Sequence, residues 1–361
     1  MWAIRLPSAL AALVTAWLLY RFGCYALRSR FVGTFAALIL ATSPGFNGTH
    51  VARFGDYDAL LTLGLTAATL SWYHYAQERQ AKQLWLGAGW FSLALLTKSA
   101  AAVVLLPAVA AGLLALPGGR WVVWQWRTYL SILLSLIPLA LFYILREAAV
   151  PGYLAAVWFN DWYGRFSQHI VTMNYPWWIY AQRLVFPGLL TWSWLLPVGC
   201  WLGFTSGPAP RRQFAQFASL HILVFLVVIS LARTRLTWYS APIYPLAALL
   251  CALGLQFLSQ QARQHWHWPI PVVMSLLTVT FAVPASLLLQ HERTRWQVEK
   301  ADPMLHYGYQ LPPLLATQPK PRTVTIVQEE RYNAGLLFYA SVLRAGGIQP
   351  VIIKRADSSS Q

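Results

Sequence analysis

The sequence predicts an all-α polytopic membrane protein of about ten transmembrane helices, with an aromatic-rich amphipathic loop and a small α/β C-terminal domain on its outer side. Three observations carry that expectation. Hydrophobic residues make up 57% of the chain against 11% charged, and mean hydropathy is +0.47, outside the range of an ordinary soluble domain. Apolar stretches near the length of a membrane span recur along residues 1–290. Only beyond residue 290 does the chain turn polar.

The spans fall at roughly 6–25, 31–46, 59–76, 84–97, 100–116, 129–145, 186–204, 214–231, 241–258 and 270–289, the second and fourth being short. Basic residues of the short loops orient them. Arg28, Arg30, Arg79, Lys82, Arg120, Arg127, Arg211, Arg212 and Arg263 share one side with a single acid, Glu78, which marks that side as cytoplasmic. Arg53, Lys98, Arg146, Arg165, Arg183, Arg233 and Arg235 lie on the other side, where they work against the topology signal and call for a function. Ten spans put both chain ends outside, so the N-terminus must cross the membrane without an upstream helix.

The transmembrane domain, 1–290, contains a long outer loop at 146–185 in which Trp158, Phe159, Trp162, Tyr163, Phe166, Trp177, Trp178 and Tyr180 alternate with Asn160, Asp161, Arg165 and Gln168. Such mixtures suit segments lying in the headgroup layer. In the C-terminal domain, 291–361, Pro303, Pro312, Pro313, Pro319 and Pro321 mark a linker. A strand at 323–327, a helix at 331–344 stopped at Gly346-Gly347, and a strand at 349–353 then read as a small βαβ-like outer domain.

Cys24, Cys200 and Cys251 lie in or beside apolar spans, which argues against a disulfide framework. The net charge of +16 is spread over many loops without a stripe, so anionic lipid rather than nucleic acid is the expected counterpart.

Residues 1–290 hold five acids, Asp56, Asp58, Glu78, Glu147 and Asp161, and two of them fall in the polar island Arg53-Phe54-Gly55-Asp56-Tyr57-Asp58. Asp58 could simply cap the helix that begins after it; one cap needs one acceptor, however, and leaves Arg53 and Asp56 unexplained. Lys98 closes an apolar run, where snorkelling is the bland alternative. Arg235-Leu236-Thr237-Trp238-Tyr239, followed by Pro242 and Pro245, opens another span, and Arg165 again sits among aromatics. His50 would complete a divalent-metal site with Asp56 and Asp58, although no spaced His/Cys cluster supports one.

These pieces, in this order, resemble the bacterial protein O-mannosyltransferase and lipid A aminoarabinose transferase group of C-type, polyprenyl-phosphate-dependent glycosyltransferases. Arg5-Leu6-Pro7-Ser8 is similar to the approach to that group's second membrane helix, and Arg53 to Asp58 resembles its second acidic motif. Leu95-Leu96-Thr97-Lys98 matches its Leu-Thr-Lys-Gly motif, with Ser99 in place of Gly. Gly164-Arg165-Phe166 and Pro176-Trp177-Trp178 resemble its outer loop, Arg235 to Tyr239 its Lys-Leu-Pro-Trp-Tyr, and Arg331-Tyr332-Asn333-Ala334 its tail domain.

The resemblance implies transfer of a sugar from a polyprenyl-phosphate donor to a protein, lipid or glycan acceptor at the periplasmic face of a bacterial inner membrane. Asp56 and Asp58 would position the acceptor or handle its proton, with Arg53 orienting them. Lys98, Arg165 and Arg235 would hold the lipid-linked phosphate, and Trp238 and Tyr239 would line the lipid or sugar channel, an aromatic belt being an equally good reading of Trp238. Family members carry a first helix and first outer loop that this chain does not include. Either the start is truncated, or a separate chain supplies those parts, or the chain is a non-catalytic subunit. A lipid transporter or flippase is the rival class; its ionisable groups stand near mid-span, whereas these stand at helix ends.

Overall fold

The computed structural model describes residues 2–48, 50–52, 55–167, 175–205, 208–301, 323–329, 334–345 and 347–355. They fall into two compact units, Met1–Ala285 and Ser286–Gln361.

The first unit is a helical bundle. Helices α1 (Trp2–Tyr25) and α2 (Arg30–Thr42) form a pair; α4 (Asp58–Glu78) packs along α5 (Ala81–Val103), and α15 (Tyr244–Gln264) packs against α2 and α13 (Leu195–Trp201). The short α3 (Pro44–Asn47) follows α2, and α14 (Ala209–Leu231) lies on α6 (Leu105–Leu114). The α1–α2 crossing depends on two glycines, because a Cβ on Gly23 would run into the backbone of Gly33. Phe22, Tyr73, Phe214 and Phe217 then join α1, α4 and α14 through tilted and edge-on ring pairs, an arrangement matched to the aromatic quadrupole.

Six described helical segments are both long and apolar enough to cross a membrane: Arg5–Tyr25, Ala81–Val103, Trp126–Ala149, Ala209–Leu231, Thr237–Gln264 and Ile270–Thr294. Counting the pair Ile179–Trp192 and Leu195–Phe204, bent by 100°, makes seven. The difference from ten has local causes. Helix α2 has 13 residues and α6 has 10, each too short to span alone. Helix α4 has 21 residues but carries Asp58, Thr62, Thr66, Thr69, His74 and Glu78, and it is buried on nearly every face among other helices. The bent pair is pinned to α2 where the Trp192 indole donates to the Thr42 hydroxyl at 2.9 Å.

Lys98 has extended dihedrals, φ −158° and ψ 80°, inside α5. The break falls between the two spans expected at 84–97 and 100–116. After the short α7 (Gly119–Trp124), α8 (Trp126–Ser135) and α9 (Ile137–Ala149) lead into the outer loop, which runs through α10 (Tyr153–Val157), a π-helical turn at Trp158–Tyr163 and α11 (Gly164–Ser167), resuming at α12 (Ile179–Arg183).

In the second unit, β1 (Thr323–Glu329) pairs in parallel with β2 (Gln349–Arg355), from Thr323↔Gln349 to Glu329↔Arg355. The helix Ala334–Ala345, here α17, lies between them in sequence and makes the crossover that parallel pairing requires. Both strands extend two residues beyond the sequence expectation. The proline linker and Arg331-Tyr332-Asn333 lie outside the described residues, and α16 (Ile270–Ala301) runs across the boundary of the units.

Candidate functional site

The break in α5 brings Lys98 back against the start of α4. Lys98 Nζ donates to both carboxylate oxygens of Asp58, at 3.0 Å each. Asp58 is only 2% exposed, so the ammonium is what makes a carboxylate tolerable at that depth. The same nitrogen stands 5.5 Å from the centroid of the Tyr239 ring, within cation–π range.

A second pair forms in the loop before α4. His50 Nδ1 and Asp56 Oδ2 are 2.6 Å apart, and the backbone N–H of Tyr57 donates to Asp56 Oδ1 at 2.7 Å. The Ser8 hydroxyl, from α1, donates to the Asp56 carbonyl at 2.7 Å, so the Arg5-Leu6-Pro7-Ser8 motif anchors the acidic island. The hydrogen bond from His50 lowers the Asp56 pKa below its ordinary value; burial opposes this and the Tyr57 N–H adds to it. Asp56 is therefore a firmly ionised group and a weak base. The His50 ring lies 3.9 Å from the Trp238 ring at 33°, and Trp238 meets Tyr239 edge-on.

Two cavities adjoin at Lys98. The first, about 80 Å³, is mostly apolar and is lined by Leu61, Val104, Phe166, Phe225, Ile229 and Pro242, with Asp58 and Tyr239 at its polar end. The second, about 340 Å³, is mixed, with His50, Asp56, Tyr57, Thr97 and Trp238 beside Leu95, Leu96, Leu139 and Phe142. Lys98, Ser99 and Asp161 belong to the walls of both. A mostly apolar cavity and a mixed one thus share one ammonium and one carboxylate in their walls.

Asp56, Asp58, Lys98, Trp238 and Tyr239 are brought together. Arg235 lines neither cavity: its Nη1 donates to the Tyr175 carbonyl at 2.9 Å and its Nε to the Ser230 carbonyl at 3.2 Å, tying the outer loop to the end of α14. Arg53 lies outside the described residues, and Arg165 is described only as part of α11. The triad of His50, Asp56 and Asp58 is not assembled as a metal site; among the described residues no three His, Cys, Asp or Glu side chains could share an ion.

Asp161, Ser99 and Tyr143 had drawn no role from sequence. For Asp161 the signal was its rarity, one of five acids in 290 residues. Ser99 stands where the resembled motif has glycine, and its Oγ accepts from the Tyr143 hydroxyl at 2.6 Å, a bond glycine could not make.

Residues 1–144 match the profile of the dolichyl-phosphate-mannose-protein mannosyltransferase family. No protein of curated function matches the chain in sequence. In three dimensions the chain is similar to ArnT from Cupriavidus metallidurans bound to undecaprenyl phosphate, with a TM-score of 0.62 and 15% identity over 97% of this chain and 75% of that one. The apo state of the same protein matches equally, at 0.62 and 15%, over 97% and 74%. The chain has the fold of ArnT, and together with the family match this bears out the resemblance to the membrane glycosyltransferase group drawn from the motifs. The comparisons lend no support to a separate chain supplying further helices.

Proposed function

We propose that the chain transfers a sugar from a polyprenyl-phosphate donor to a lipid, glycan or protein acceptor at the periplasmic face of a bacterial inner membrane. The observation that carries this reading is Lys98 on the common wall of a mostly apolar and a mixed cavity. An amphiphile with a phosphate between an isoprenoid tail and a sugar would set its tail along Phe225 and Ile229, its phosphate at Lys98 and its sugar toward Trp238. That the similar ArnT was crystallised with undecaprenyl phosphate supports the donor class.

In the reaction the bond between the sugar's anomeric carbon and the phosphate oxygen breaks, and the polyprenyl phosphate departs with the electron pair. The acceptor oxygen bonds to the same carbon, and any proton it carries passes to a carboxylate or to solvent. Charge grows on the leaving phosphate, so a cation already fixed in place acts mainly on the transition state. Asp58 fixes that cation. Asp56, held ionised by His50, suits orientation of an acceptor hydroxyl better than proton abstraction. Asp161 is the further carboxylate on the common wall. Arg165 and Arg235 remain proposed donor-phosphate partners, Arg235 while also tying down the outer loop, and Arg53 is proposed to orient the two aspartates.

Transfer of labelled sugar from a polyprenyl-phosphate donor in proteoliposomes tests the reading. Wild type is expected to transfer label and Lys98→Ala to lose most of it per molecule of folded protein in the membrane. Unchanged transfer in Lys98→Ala would remove Lys98 from the site.

A further inference from the structure

A second basic cavity lies at the far end of the bundle. Helix α14 runs from Ala209 to Leu231, 23 residues and about 34 Å, which exceeds the ~30 Å hydrocarbon core of a bilayer. Its C-terminal end leads into the segment around Arg235 and the site described above. Arg211 and Arg212 stand in its first turn and border a cavity of about 330 Å³, together with Trp201, Leu253, Phe257, Gln260 and Gln261. A neighbouring cavity of about 560 Å³ shares Thr205 and Arg212 with it.

Three features of this place suit a phosphate. Both side chains are half-buried guanidiniums, adjacent in sequence, and among the described residues no carboxylate pairs with either. Arg211 is oriented by its Nε donating to the Leu27 carbonyl at 3.3 Å, and no other side-chain hydrogen bond within the described residues engages either guanidinium. Both arginines line the same cavity, and planar guanidinium groups match phosphate oxygens. The remaining wall is amphipathic: glutamines supply donors, while Trp201 and Phe257 meet edge-on at 5.5 Å, as aromatics do at headgroup depth. Nothing in the proposed transfer uses these residues.

We propose that this cavity is an anion site that binds a phosphate group on the cytoplasmic side, carried by an anionic phospholipid headgroup or by free phosphate. Its dimensions and aromatic wall suit the phospholipid.

The test is thermal unfolding of the full chain in nanodiscs of phosphatidylcholine alone, with a minority of phosphatidylglycerol, or with inorganic phosphate added to the phosphatidylcholine discs. Lipid retained by the protein on release is counted by native mass spectrometry. The expected result is a higher midpoint and retained phosphatidylglycerol in wild type, with retention about fivefold lower for each guanidinium removed in Arg211→Gln and Arg212→Gln. The pair Arg120→Gln and Arg127→Gln, on the same membrane face but outside the cavity, should retain lipid as wild type does. Arg212→Gln, whose side chain holds nothing else among the described residues, keeps the test valid if the Arg211 variant unfolds. A midpoint raised by inorganic phosphate alone, and lost in Arg212→Gln, would identify free phosphate as the ligand. No response to either ligand, or equal losses in the Arg120 and Arg127 variants, would overturn the proposal.

Discussion

Removing the charge of Lys98 does two things at once, and separating them is the sharpest check on its role. Asp58 is 2% exposed with the ammonium 3.0 Å from each oxygen. At an effective dielectric near 20 that contact is worth about 5 kcal/mol before desolvation. Lys98→Ala strands the carboxylate, at an expected cost of about 3–5 kcal/mol in stability. A loss of transfer in that variant alone could then be a folding defect. Lys98→Met combined with Asp58→Asn removes both charges and nearly preserves volume, so stability should recover to within about 1–2 kcal/mol of wild type. Transfer should not recover: losing a preorganised cation at the leaving phosphate is expected to lower turnover by roughly 10²–10³-fold. Thermal unfolding and labelled-sugar transfer, measured on the same preparations, give the two readouts. A double variant that transfers at the wild-type rate would show that Lys98 serves only to neutralise Asp58.

Asp161→Asn, on the wall common to both cavities, is expected to lower transfer at least tenfold with little change in unfolding midpoint; wild-type transfer would exclude it from the chemistry. Trp238→Ala removes the ring packed at a tilt against His50 and should weaken transfer with a raised apparent KM for donor or acceptor, whereas an unchanged KM would assign Trp238 to an interfacial belt. The Asp56 pKa is lowered in the folded chain, so its stabilising contribution is fully present above the unfolded value and is lost as pH falls through the depressed folded value. The difference in unfolding midpoint between wild type and Asp56→Asn should therefore persist at every pH above about 5 and shrink only below the ordinary carboxylate value of 3.8; disappearance between pH 5 and 7 would contradict it. Gly23→Leu should disrupt the α1–α2 crossing, because the side chain would have to occupy the space of the Gly33 backbone; normal accumulation and unfolding would contradict that packing.

Charges were the legible part of the site. An acid or a lysine in a greasy context stands out whatever the fold, which is why Asp56, Asp58 and Lys98 could be singled out along the chain. Their partnerships were not legible. Lys98 and Asp58 are 40 positions apart, and only the packing of α4 on α5 with the break at Lys98 joins them. Arg235, singled out as a phosphate ligand, also donates to two backbone carbonyls, a use of arginine that leaves no mark in sequence. His50 was noticed for metal chemistry and instead clasps Asp56 beneath Trp238. Hydropathy likewise located most apolar helices but could not separate a lipid-facing span from one enclosed by protein. Helix α4, apolar enough to be read as a span yet enclosed by other helices on nearly every face, is the case in point.

On the proposed reading, Lys98 receives the phosphate of a polyprenyl donor where the apolar cavity meets the mixed one. A structure of the protein with undecaprenyl phosphate would test it most directly. The phosphate is expected within charge-assisted hydrogen-bonding distance of Lys98 Nζ, about 3 Å, with the isoprenoid running past Phe225 and Ile229. A phosphate bound elsewhere, with Lys98 still engaged only by Asp58, would contradict it.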